Sequence, residues 1–228
     1  EQIKETLPEG VTIEPYLDRK NLVDRAIGTV TKNLTEGALI VIFVLILFLG
    51  NLRGGLIVAS VIPLSMLFAI VMMNLFGVSG NLMSLGAIDF GLIVDGAVII
   101  VESVMFGIHS SKKKYKGVTK LSSNQMDIEV KESAGKMMNS AAFGQIIILI
   151  VYLPILALTG VSGKMFHPMA QTVMFAILGA LILSLTYVPM MSALALGRKT
   201  EHKRNFSDKL MDFFQRVYKP IIEAALRT

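Results

Sequence analysis

The chain has 228 residues, of which 53% are hydrophobic and 17% charged, with a formal charge of +5 and no cysteine. Apolar residues gathered into long runs at that level argue for a membrane protein and against a soluble globule. The lack of cysteine excludes disulfides and Cys-based zinc or redox sites, and His109, His167 and His202 are too scattered to form a metal motif.

In chain order, the first element is a polar lead, "EQIKETLPEGVTIEPYLDRKNLV", which has no signal peptide and closes no domain of its own; it reads as an excerpt from a longer polypeptide. Leu22, Val23, Ala26, Ile27, Val30 and Leu34 then recur at three- and four-residue spacing, which predicts a lead-in helix that starts outside the membrane and runs in, closing the lead of residues 1–36. Residues 37–50 are apolar but cover only about 21 Å, so this span needs those preceding turns to cross a bilayer. Spanning windows follow at 54–76, 82–108, 140–159 and 169–197, and residues 198–228 read as an amphipathic helix lying on the inner leaflet. The fold class expected is therefore an all-α membrane protein with a bundle of five transmembrane helices.

Orientation is read from Lys and Arg in the connections. Arg53, seven lysines between His109 and Lys136, and eight basic residues from Arg198 to Arg227 gather on one side, sixteen in all. Lys4, Arg19, Lys20, Arg25, Lys32 and Lys164 fall on the other. The excess predicts a cytoplasmic tail and an external N-terminal side. The run "SSKKKYKGVTK" is then a cytoplasmic loop rather than a nucleic-acid patch. Pro63, Pro154 and Pro189 predict helix irregularities, and Ala176, Gly179, Ala180 and Ser184 predict close helix packing. The fourteen methionines, mostly isolated in apolar runs, read as filler rather than as soft-metal ligands.

The third window, "SLGAIDFGLIVDGAVIIVESVMFGI", carries Asp89, Asp95 and Glu102. On a helix Asp95 and Glu102 share a face, about 10.5 Å apart in level, with Asp89 about 9 Å before Asp95 and rotated by about 120°. Each charged acid near mid-membrane costs about 2.5–3.5 kcal/mol, so three of them ask for a reason. Desolvation favours the protonated form of a carboxyl group, which makes such acids candidate proton carriers. The competing readings are acids that only fix packing and a cation-binding site.

At these residues "NLMSLGAIDFGLIVDGAVIIVES" resembles the fourth transmembrane helix of the heavy-metal efflux subfamily of resistance-nodulation-division pumps. "LPEGVTIEPYLDRKNLVDRAIGTVTKNLTEG", "LTGVSGKMFHPMAQTV" and "SLTYVPMMSAL" agree, so the resemblance covers essentially the whole chain. It implies transmembrane helices two to six of one half of a proton-driven pump, entered from the edge of a periplasmic porter domain. Asp89, Asp95 and Glu102 match the family's intramembrane acids, whose usual lysine partner belongs to the other half. The Asp89-Phe90-Gly91 start resembles the divalent-cation branch (cobalt, zinc, cadmium, nickel), and Ser103 departs from the asparagine common at that place.

The resemblance further implies a homotrimer in the bacterial inner membrane with a periplasmic adaptor and an outer-membrane channel. It implies divalent metal ions as substrate, no enzyme activity, no cofactor and no nucleic acid. Asp95, Glu102 and Asp89 are the expected proton-translocating residues, with Asp89 also a possible metal way-point. The alternatives are a multidrug pump of the same superfamily and a non-transporting sensor or scaffold built on the same bundle.

Overall fold

The computed structural model describes residues 19–80, 86, 88–115, 120–198, 216, 218 and 219. These form helices α1 (Arg19–Leu49), α2 (Leu52–Leu75), α3 (Phe90–Lys114), α4 (Ser123–Leu156), α5 (Gly160–Leu185) and α6 (Tyr187–Ala195). No β-strand occurs among the described residues, and α1 to α5 are each long and apolar enough to cross a membrane. The expected tail helix falls, but for Arg198, Arg216, Tyr218 and Lys219, outside the described residues.

The short apolar window 37–50 is the second half of a 31-residue helix. That length corresponds to about 46 Å, ample for a bilayer. Helix α1 stops at Gly50, whose φ of 59° is open to glycine without strain. Asn51 then caps α2 by accepting from Arg53 N at 3.0 Å and Gly54 N at 3.3 Å. The hairpin is tight because Gly55 has no side chain: a β-carbon there would come within 2.6 Å of Ile46 Cγ1.

Helices α2 and α5 pack by the same device. A β-carbon on Gly179 would meet Phe68 Cδ1 at 2.7 Å, and Phe76 stacks on Phe175 with ring centroids 5.5 Å apart. Thr172 is buried between the two, donating to Pro168 O at 2.7 Å and approaching Met73 Sδ at 3.4 Å.

The window 169–197 is not one helix. It divides at Thr186, the last cap of α5 and the first of α6. Pro189 supplies the reason, because its ring crowds the carbonyl four residues back, at Leu185, and it offers no N–H. Helix α4 extends far ahead of its apolar half, its start fixed by a capping box between Ser122 and Gln125. Its polar first half, 123–139, meets the end of α6, where Leu121 N donates to Arg198 O at 2.9 Å and Arg198 Nη2 to Ser123 Oγ at 3.2 Å.

Candidate proton-relay helix

Helix α3 buries one stripe: Ile93, Val94, Ala97, Ile100, Val101, Val104 and Ile108. Their spacing keeps them on one side of a 3.6-residue helix, packed into the core with Val58 and Val61 of α2. Asp95 and Glu102 lie roughly 150° around from that stripe. Both are exposed, on a face they share with Gly91 and Phe106. The acids thus face away from the described bundle.

The expected place of Asp89 on the same helix needs correction. Asp89 is not within the helix: it is the N-cap, with extended backbone (φ −96°, ψ 114°), and its carboxylate accepts from Gly91 N at 2.8 Å. The helix therefore starts at Phe90 and not near residue 82, because an acid that can cap the first turn ends the helix there. Along the apolar span Phe90–Ser111, Asp95 stands about 7.5 Å from the start and Glu102 about 18 Å, so Glu102 is the nearer to the middle.

Asp89 also lines an open cavity of about 370 Å³ between α1 and the start of α3, together with Asn33, Gly37, Ile88 and Phe90. The cavity holds one carboxylate and one amide. Among the described residues no group of three or more His, Cys, Asp or Glu side chains is placed to hold a metal ion.

The side of α3 towards α4 carries polar groups that hydropathy conceals. Ser103, next to Glu102, donates to Ser133 O at 2.8 Å. Gly107 admits the Ser133 side chain so closely that any β-carbon at Gly107 would collide with it. Gly96, next to Asp95, admits Gln145: a β-carbon there would lie 2.8 Å from Gln145 Cδ. Gln145 is 1% exposed, and among the described residues neither Nε2 nor Oε1 has a hydrogen-bond partner. Gln145 is the residue that reading by acids missed. The available signal was its position as the one amide in "AAFGQIIILIVYLPIL".

Beyond the apolar span the two helices are held by charge. Lys114 Nζ reaches Glu132 at 2.6 Å and Glu129 at 3.2 Å, and Lys136 reaches Glu132 at 3.0 Å. The hydrogen bond from Lys114, and then that from Lys136, draw the Glu132 carboxyl down to about 2. The same contacts, Glu132 first, push Lys114 upwards.

The model of the AcrB/AcrD/AcrF family matches residues 1–228. The cobalt-zinc-cadmium resistance protein CzcA of Cupriavidus metallidurans is 50% identical over 225 residues, covering 98% of this chain and 21% of that protein. The nickel-cobalt-cadmium resistance protein NccA of Alcaligenes xylosoxydans xylosoxydans is 44% identical over 226 residues, covering 99% of this chain and 20% of that protein. A crystal structure of a heavy metal efflux pump superposes with a TM-score of 0.67 at 42% identity, over 80% of this chain and 17% of that one.

The described bundle has five helices long and apolar enough to cross a membrane, one of which carries Asp95 and Glu102. The chain belongs to the AcrB/AcrD/AcrF family, in the heavy-metal efflux branch of the resistance-nodulation-division transporters. It spans about a fifth of the length of the curated relatives that it matches.

Proposed function

We propose that this chain is the proton-carrying transmembrane portion of a pump that exports divalent heavy-metal cations at the expense of the proton gradient. The observation that carries the reading is the pair Asp95 and Glu102, exposed together on one face of an apolar helix. It stands in a chain half identical to a protein named for cobalt, zinc and cadmium resistance. Two carboxyl groups about 10.5 Å apart in level are stations rather than a chelate, and each can carry a proton through a layer where a bare charge is costly. Asp89, at the helix start beside an open cavity, is the outer station.

A potential of 100 mV supplies about 2.3 kcal/mol per proton crossing, enough to bias conformations a few kcal/mol apart. The exposed acid face is the side that a cationic partner from the remainder of a full-length pump would cover. The pump works as a homotrimer in the inner membrane with a periplasmic adaptor and an outer-membrane channel. Residues 1–36 lead in from the periplasmic porter domain, 37–197 form the bundle, and 198–228 lie on the cytoplasmic surface. Lys and Arg distribution supports that orientation.

The test is zinc and cobalt resistance in cells carrying the full-length pump with Asp95→Asn or Glu102→Gln. Both variants are expected to reach the membrane as trimers and lose resistance. Normal resistance in either would remove that residue from the relay.

A further inference from the structure

Helices α3 and α4 run antiparallel, and their contacts fix which residues stand level. Ser103 donates to Ser133 O at 2.8 Å, Gly107 lies against the Ser133 side chain, and Gly96 lies against Gln145. Ser133 is therefore level with the turn from Ser103 to Gly107. Each residue advances a helix by about 1.5 Å, so Lys136 and Asn139, further along α4, bracket the level of Glu102. By the same reckoning Asp95 is level with the stretch from Phe143 to Ile146.

These residues also share a side of the helix pair. Counted from Ser103 and Ser133, which face each other, Glu102 is about 100° back on α3, while Lys136, Asn139 and Phe143 are about 60°, 120° and 80° back on α4. In an antiparallel pair the same sense of turn leads to the same side, and all four are exposed. The surroundings of the two acids then differ. Beside Glu102, α4 exposes Lys131, Glu132, Lys136 and Asn139. Beside Asp95 it exposes Phe143, Ile146, Ile147 and Val151, and no charged residue occurs from Ser140 to Leu156.

The apolar run of α3 agrees with this division. Past Glu102 its apolar character comes largely from Val104 and Ile108, which are buried in the core, whereas Glu102, Phe106 and Ser110 face outwards. Hydropathy there reports the interior of the bundle rather than surrounding hydrocarbon. Exposed lysine and glutamate side chains are unfavourable in hydrocarbon and well solvated in water.

We propose that the groove on this side of the α3–α4 seam is a water-filled inlet, open at the Lys114 end and closing between Asn139 and Phe143, which brings solvent to Glu102 and not to Asp95. Its use rests on the proton-relay reading. Protonated Glu102 gives its proton to a water of the inlet, leaving a carboxylate and a hydronium ion that passes to bulk solvent, and it is reprotonated by the reverse step. Asp95, about 10.5 Å deeper, exchanges with this end of the bundle only through Glu102.

The test is labelling of single cysteines by a membrane-impermeant charged maleimide, in the full-length pump with any other cysteine replaced by serine, in vesicles that present the Lys114 end outwards. The reacting thiolate forms in water, so Glu102→Cys and Asn139→Cys are expected to react within about tenfold of Asn124→Cys at the exposed start of α4. Asp95→Cys and Phe143→Cys are expected to react more than about a hundredfold slower. Lys136→Cys takes the place of Asn139→Cys if that variant fails to assemble.

Protection of Glu102→Cys or Asn139→Cys overturns the inlet, and rapid labelling of Asp95→Cys overturns its floor. Labelling does not depend on transport, so these outcomes stand apart from the relay reading, which metal resistance in Asp95→Asn decides. In proteoliposomes, complete labelling of Asn139→Cys is expected to stop the zinc-coupled proton movement measured before labelling. Movement that continues removes the inlet from the proton path and leaves the relay acids in place.

Discussion

The amide of Gln145 rests against the backbone of Gly96, closer than any β-carbon at that residue would allow. Helices α3 and α4 are therefore in register at the residue after Asp95, and the contact depends on a missing side chain. Gly96→Ala gains up to about 1 kcal/mol of helix propensity, while overpacking there loses about 1–3 kcal/mol. We expect a net loss of thermal stability for the detergent-solubilised full-length protein. Adding Gln145→Ala is expected to recover part of it, a non-additivity that only a direct contact produces.

Asp89 combines a cap with a charge, and two substitutions separate them. Asp89→Asn keeps an effective cap and is expected to leave thermal stability unchanged, whereas Asp89→Ala loses about 0.5–2 kcal/mol. Both remove the carboxylate, so both are expected to lose metal resistance if Asp89 is the outer station. Resistance retained by Asp89→Asn and lost by Asp89→Ala would assign the residue to helix capping alone.

The Lys114–Glu132–Lys136 cluster lies on the polar half of α4 and makes stability depend on acid. Glu132 titrates near 2 in the folded chain against an ordinary value of 4.5. Its contribution is thus complete above about 4.5 and disappears as pH falls towards 2. Thermal unfolding between pH 5 and pH 3 is expected to show a steeper loss for the wild type than for Glu132→Gln. Parallel curves would show that the cluster is inert.

Lys114 also faces Glu129, whose side chain is 7% exposed. Lys114→Met leaves that carboxylate with less compensation and is expected to lower the melting temperature. Glu129→Gln in the same chain is expected to restore part of the loss. A double variant no more stable than Lys114→Met would mean that Glu129 does not depend on this lysine.

Between α2 and α5 the close approach is apolar. Gly179→Ala places a β-carbon 2.7 Å from the Phe68 ring, and we expect a loss of about 1–3 kcal/mol. Pairing it with Phe68→Leu, which vacates ring volume, is expected to relieve most of that loss in the same unfolding measurement.

Membrane class, spanning helices and the presence of Asp95 and Glu102 on one helix face were legible in the sequence, because hydropathy runs and misplaced charges are properties of the chain in one dimension. Long apolar stretches must satisfy their backbone groups internally, so helices follow without knowledge of neighbours. Boundaries were less legible where a local group competed with hydropathy: Asp89 starts α3 late by capping it, and Pro189 ends α5 early at Thr186. The core stripe from Ile93 to Ile108 could be drawn on a helical wheel, but not the helices that cover it. The pairing of Gly96 with Gln145, and of Ser103 with Ser133, joins residues 49 and 30 positions apart. Such contacts arise from the packing of α3 on α4, where the shape of the neighbour, absent from any local pattern, sets which glycine must stay bare and which amide is buried against it.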